Sequence, residues 1–356
     1  MTSHTITNED VRAAVLGGAV LGGGGGGWMD QGTLLGQLAV DVGIPQLIPL
    51  EDLPDDALLV TVGLVGAPSA KQRYVKPTHY VRAIELLEAR IGRKIAGVIT
   101  NENGGNATVN GWFQAAMLSL PCVDAPCNGR AHPTGIMGSI GLQRSTDYLS
   151  IQAAAGGKAE KYVEAVVSGS LTTCATFIRN AAVEAGGVIA VARNPISVAY
   201  AREHCALGAI RQAIALGSVM LEHESKGGEA VVQAAMKYLG GEILFQGLID
   251  HVNLKSEGGF DVGTVTIGGV EMTFWNEYMT LDQDGKRIAT FPDLIMTFDR
   301  ITGRPLVTAE IQEGNDVMLV CVPKEHLILG AGMYDQALFQ AVERVIGRAV
   351  ISYSFE

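Results

Sequence analysis

Apolar and polar positions alternate in two rhythms along this chain, and the rhythm changes near residue 170. Before that point, short apolar runs are separated by helical stretches. Residues 57–63 (ALLVTVG) and 94–100 (KIAGVIT) read as strands, and 79–91 places apolar side chains at helical spacing between them. Residues 11–21 read as a first helix, capped by Thr7 with Asp10 three positions on and ended by the glycines that follow. Further along, 110–118 reads as a helix and 121–124 as a short strand, with a loop over 127–133 at its carboxyl end. The alternation predicts an α/β domain over residues 1–168 on a parallel layer, and ligands collect at the carboxyl edge of such sheets.

The second half reads differently. Residues 172–180 and 187–192 are strand-like, and helices are expected over about 196–224 and 228–239. From residue 241 the runs are short, alternating and separated by glycine or Asp-Gly turns, which predicts a β-barrel or sandwich. A last amphipathic stretch, 333–346, reads as a helix. The second domain is thus 169–356, two helices followed by a mainly β unit. No Pro- or Ser-rich linker precedes it, so the boundary is expected to be tight.

Composition narrows the functional classes. A 356-residue chain that is 47% hydrophobic has ample core for two domains. With 26 Lys+Arg against 37 Asp+Glu and a net charge of −11, it lacks the basic face that a nucleic-acid partner requires. The apolar patch at 11–21 is too short to span a bilayer and has Glu9, Asp10 and Arg12 at its start, so no membrane partner is expected. The cysteines stand at 122, 127, 174, 205 and 321 with no CxxC pair, which fits a reducing cytoplasm. A compact, glycine-rich chain of this hydrophobicity is expected to be a homo-oligomer acting on a small molecule.

Two segments concentrate the candidate chemistry. Six consecutive glycines at 22–27 free the backbone to expose N–H groups, and Gly24, Gly25, Gly26 and Gly27 are candidates for cradling a substrate anion. The run lacks the lysine and spacing of a nucleotide loop. Residues 100–134 then bring together Glu102, Asn106, Asn110, Asp124, Cys127, Arg130 and His132. Glu102 and Asp124 are candidate general bases, Cys127 a nucleophile, and His132 an acid/base group. Arg130 suits a substrate carboxylate, and Asn106 and Asn110 suit a ring with N–H and C=O edges. Glu277 in the β half is a candidate contribution from the second domain. Each has a structural counterpart: Asp124 as a turn cap, Cys127 as a buried hydrophobe, His132 as a backbone-bonded loop residue, Arg130 as a tether.

Three elements in order carry a family resemblance: AAVLGGAVLGGGGGG, then GGNATVNGWFQAAMLSLPCVDAPCNGRAHP, then the signature from Phe274 through Asn276-Glu277, Pro292-Asp293-Leu294-Ile295 and Asp299 to Thr302-Gly303. The chain resembles the S-methyl thiohydantoin desulfurase family over nearly its whole length. The resemblance implies a three-layer α/β domain followed by a largely β domain. It also implies hydrolysis of a ring-bound S-methyl group to give a hydantoin and methanethiol. After the strand, the family pattern runs roughly Asp-Ala-Asp-Gly-Met-Gly-Arg-Ala-Phe-Pro-Glu. Here Pro126 and Thr134 stand at two carboxylate positions, and Cys127 and His132 add a thiol and an imidazole.

The chemistry leaves three mechanisms open. Asp124 or Glu102 activates water while Arg130 and loop N–H groups hold the developing charge. Alternatively, Cys127 attacks directly, its thiolate favoured by Arg130 or protonated His132. In the third, Asp124, Cys127 and His132 share a divalent metal ion that generates hydroxide. Two functional alternatives stand beside desulfuration: opening of a cyclic amide, and non-catalytic ligand binding in support of a hydantoinase.

Overall fold

The computed structural model describes residues 2–67 and 70–355. Its first domain is a mixed sheet with strand order β1-β2-β5-β4-β3-β8-β6-β7. The strands are β1 (His4–Thr5), β2 (Gln46–Ile48), β3 (Leu58–Gly66), β4 (Gly97–Thr100), β5 (Cys122–Val123), β6 (Ser150–Gly156), β7 (Val163–Gly169) and β8 (Val188–Ser197). The expected parallel layer is its middle, where β2, β5, β4 and β3 run side by side. β8 and β6 extend it antiparallel.

Side-chain alternation builds a core on each face. Val60, Val62, Ala190 and Ala192 pack on one side with helices α1 (Asn8–Leu21), α2 (Met29–Val42), α3 (Pro77–Ile91) and α4 (Trp112–Leu118). Their neighbours Leu59, Val65, Ile189 and Val191 point to the other side, against α5 (Leu171–Glu184) and α6 (Val198–His204). The period of 2 along buried strands thus yields the three layers. Thr7 caps α1 as expected, accepting from the Asp10 N–H, while the Asp10 carboxylate accepts from the Thr7 N–H.

Two expectations are corrected. Residues 172–180 form a helix, not a strand. Ser170 caps α5, and Leu171, Cys174, Ile178 and Ala182 form its buried stripe, while Thr172, Thr173 and Thr176, the β-branched residues that suggest a strand, all face outward. The helix expected from 196 begins only after β8 ends. It is then split by a turn at Gly208, whose φ is 85°, before α7 (Ala209–Leu221). The chain therefore returns to the first sheet through β8 after residue 168.

Helix α7 and α8 (Gly228–Leu239) lead into the second, mostly β domain. Its strands are β9 (Glu242–Leu248), β10 (His251–Glu257), β11 (Phe260–Ile267), β12 (Val270–Trp275), β13 (Glu277–Gln283), β14 (Lys286–Thr290), β15 (Leu294–Asp299), β16 (Pro305–Leu306) and β17 (Asp316–Val322). They form a five-stranded sheet, β10 to β14 in order, and a four-stranded sheet, β16-β15-β17-β9. Val265, Met272 and Phe274 of one meet Ile295, Val317 and Leu319 of the other in a common core, a sandwich arrangement. Helix α9 (Gln336–Ile346) packs Phe339 and Val342 against Trp275 and Phe291. Helix α1 belongs to both domains, because Val20 and Leu21 join the core of α7, α8, β15 and β17.

Candidate functional site

A cavity of about 90 Å³ opens where β3 and β4 end and the second domain meets them. It has room for several waters or one small ring. Gly63 to Gly66 form one wall, and Asn101 and Glu102, which follow β4 directly, form another. His132, Asn106, Gly26 and Gly27 complete the first domain's share together with Arg179 and Arg193. Asn276 and Glu277 come from the second domain. The location is the carboxyl edge of the parallel strands.

Hydrogen bonds fix one side of the cavity. The Arg193 guanidinium donates to Asn101 Oδ1 at 2.6 Å, and Asn101 Nδ2 donates to Glu102 Oε2 at 3.0 Å. The same carboxylate oxygen accepts from the His132 N–H at 3.2 Å and lies 3.3 Å from His132 Nε2. Burial pushes the Glu102 carboxyl up to about 7, against the opposing pull of its hydrogen bonds and Arg193. Burial, and then Arg193, push the His132 imidazole down to about 3, so it is neutral at physiological pH.

Opposite stands Glu277. Asn276, held at φ 57° in a left-handed conformation, accepts from the Asp261 N–H at 2.9 Å and turns the chain so that Glu277 follows into the cavity wall. Burial holds this carboxyl well above its usual range, and repulsion from Glu102 adds to the effect. Glu277 Oε2 is buried without a hydrogen-bond partner, as is Arg193 Nε. Two carboxyls that cannot both ionise at ordinary cost share the cavity with the buried Arg193 and the half-buried Arg179 guanidiniums. Burial and mutual repulsion raise both carboxyls, so near neutral pH one member can accept a proton and the other donate one.

The glycine run divides its work. Gly26 and Gly27 line the cavity, whereas Gly24 and Gly25 face the second domain. Gly23 O accepts from the Tyr278 N–H and Gly24 O from the Thr308 N–H, each at 2.8 Å. Gly26 O accepts from the N–H groups of Asn106 and Ala107, both at 3.0 Å. The run is a seam between domains that also walls the cavity.

Four other candidate side chains lie outside the cavity wall. Asp124 is buried at the start of α7, accepting from the Ile210 N–H at 2.8 Å and from Arg211 at 3.0 Å. Burial raises its carboxyl, and those two donors oppose the rise. Cys127 is buried beside the Thr61 hydroxyl at 3.2 Å, and its thiol is lowered first by a hydrogen bond from Cys205. Arg130 is fully buried, donates to the carbonyls of Pro292 and Asp293 at 3.0 and 2.5 Å, and stacks on Phe291. Asn110 Oδ1 accepts from Gln114 Nε2 at 2.8 Å within the start of α4. Asn128, not singled out from the sequence, accepts through Oδ1 from the Gly330 N–H at 3.1 Å.

The metal set drawn from Asp124, Cys127 and His132 is not assembled. Asp124 is committed to α7 and Cys127 to Thr61. Among the described residues, no three His, Cys, Asp or Glu side chains converge as ligands.

Sequence reasoning missed Arg193, Arg179 and Trp28. Arg193 directly follows the apolar run 188–192 of its strand, a signal that was present. Arg179 lies on the helix misread as a strand. Trp28 follows the glycines directly and lines the cavity.

Fold and site together define a two-domain protein, α/β then mostly β, with a carboxylate-lined cavity between the domains. The family model for the S-Me-THD-like N-terminal domain matches residues 9–163, and that for the C-terminal domain matches 170–330, so the chain belongs to the S-Me-THD-like family. No curated protein matches it. A solved protein from Chromobacterium violaceum has the same fold, with a TM-score of 0.70, 21% identity and 96% of each chain covered. Among the described residues no single helix is long and apolar enough to cross a membrane.

Proposed function

We propose that the protein is a hydrolase that removes sulfur from a thiohydantoin-like ring, with Glu102 and Glu277 as its proton-transfer pair. Family membership supports a role in thiohydantoin metabolism, and the facing carboxyls with raised pKa carry the mechanistic reading. Ionised Glu102 takes a proton from water, whose oxygen adds to the ring carbon between the two nitrogens. The C=N electron pair moves onto nitrogen, which takes the water proton back from Glu102. The C–S bond then breaks, sulfur leaves as a thiol with the proton of Glu277, and the added hydroxyl gives its own proton to Glu277 as it becomes the ring C=O, so both carboxyls return to their starting states. Arg193 and Arg179 favour the negative charge that builds on the ring. Neutral His132 and Asn101 hold Glu102 in place.

Of the two candidate bases, Asp124 and Glu102, this reading keeps Glu102, and it gives Cys127 no nucleophilic role, because neither Asp124 nor Cys127 lines the cavity. The test is thiol release from an S-methyl thiohydantoin by wild type, Glu102→Gln and Glu277→Gln. Release by wild type and its loss in both variants supports the proposal. Binding without turnover in wild type overturns it in favour of a ligand-binding protein. A new carboxylate in the product without thiol overturns it in favour of amide hydrolysis.

A further inference from the structure

Beside the main cavity lies a second one, of about 120 Å³, whose wall is largely apolar. Trp28, Leu64, Asn106 and Val188 line both, so the two are neighbours separated only by shared side chains. Leu35 and Leu38 from α2, Tyr80 from α3 and Val75 just before it close the second space. Arg73 stands over the Trp28 ring at 3.5 Å and donates to the Ala70 carbonyl, so its guanidinium is directed at the indole face and the backbone. Apolar cavities of roughly this size take up a benzene-sized molecule.

Taking the reading of the main cavity as given, we propose that this annex is a specificity subsite. It receives an apolar substituent on the substrate ring, a branched aliphatic or phenyl-sized group, while the ring itself sits between Glu102 and Glu277. The main cavity has space for little more than the ring, so a substituent needs a second compartment. The neighbouring compartment offers apolar surface at Leu35, Leu38 and Val75, where an ionised arm would be desolvated. Trp28 is the hinge of the arrangement: the glycine run delivers it, and one ring borders both compartments.

The test is calorimetric binding of hydantoins, the product class, carrying hydrogen, isobutyl, benzyl or propionate at the saturated ring carbon. Wild type is expected to bind the isobutyl or benzyl compound about ten-fold or more tighter than unsubstituted hydantoin, as burial of such a group implies. Leu38→Trp, which fills the annex and not the main cavity, is expected to erase that gain while leaving unsubstituted hydantoin within about two-fold. Leu34→Ala, at an exposed rim position that carries no folding load, is expected to weaken the isobutyl compound about three-fold. Equal affinity across the series, a propionate arm preferred to isobutyl, or a gain that survives Leu38→Trp overturns this inference alone. Failure of every ring compound to bind overturns the reading of the main cavity and this inference with it.

Discussion

Gly25 lies directly against the Glu277 carboxylate: a Cβ at residue 25 would sit 1.9 Å from Glu277 Oε1. The smallest possible side chain would displace one member of the carboxyl pair, and both neighbours on the seam are fixed by hydrogen bonds, Gly24 to the second domain and Gly26 to the first. Gly25→Ala is expected to cost about 1–3 kcal/mol of stability through overpacking. Thiol release should fall more steeply than the Tm, because Glu277 is the group that moves. Wild-type turnover in the variant would detach Glu277 from the chemistry.

Glu102 sets the acid limb of the pH profile. Its carboxyl ionises only near pH 7, so kcat/KM is expected to rise with pH and level off above about 7. His132, already neutral above about pH 3, adds no inflection there. Glu102→Gln is expected to lower kcat by about 10²–10⁴ and to retain hydantoin binding. A profile flat from pH 5 to 8 in wild type would remove Glu102 as the base.

The same group makes stability depend on pH in a direction opposite to a paired carboxylate. Glu102 ionises near 4.5 when unfolded and near 7 when folded. Below the lower value both states carry the proton and no penalty exists. As pH rises from 4.5 through 7, the folded state retains a proton that the unfolded state releases, and stability falls. The Tm of Glu102→Gln should therefore gain on wild type across that window and hold its advantage above it. Parallel Tm curves from pH 4 to 8 would contradict the raised ionisation.

Asp124 is a structural anchor. Its side chain joins the N-terminus of α7 to Arg211 and has only 1% of its surface exposed. Asp124→Ala leaves the Ile210 N–H unmatched and takes one acceptor from the partly exposed Arg211, which keeps the carbonyls of Thr2 and Leu47, at a cost of about 1–3 kcal/mol. Denaturant unfolding measures that loss, and turnover per folded molecule should stay within about two-fold of wild type. A variant of normal stability and no activity would return Asp124 to the mechanism.

The sequence made the alternating core legible because apolar periodicity is a local property. The first helix with its Thr7–Asp10 cap, β3, α3, β4 and the β-rich second half all follow from it. Helix α5 was obscured because three threonines supply strand propensity while the buried Leu171, Cys174, Ile178 and Ala182 supply helical spacing, and burial prevailed. The site was legible in part. Glu102, His132, Asn106, Gly26, Gly27 and Glu277 are brought together, but Arg193 arrives on an antiparallel strand whose place beside β3 no local pattern encodes. Asp124 and Cys127 have suitable chemistry and the wrong direction. A strand end exposes one face to the ligand edge, and theirs is turned to α7 and to Thr61.

The seam at residues 23–26 ties together positions as far as 284 residues apart, as in the Thr308 hydroxyl that donates to Gly24 O. The cavity lacks its Asn276–Glu277 wall until the second domain has formed and closed on a helix near the start of the chain. Half a molecule, however well ordered, encloses nothing. Catalytic competence in a refolding experiment would thus lag behind recovery of secondary structure, and a nascent chain would remain inert until its distal sheet is made.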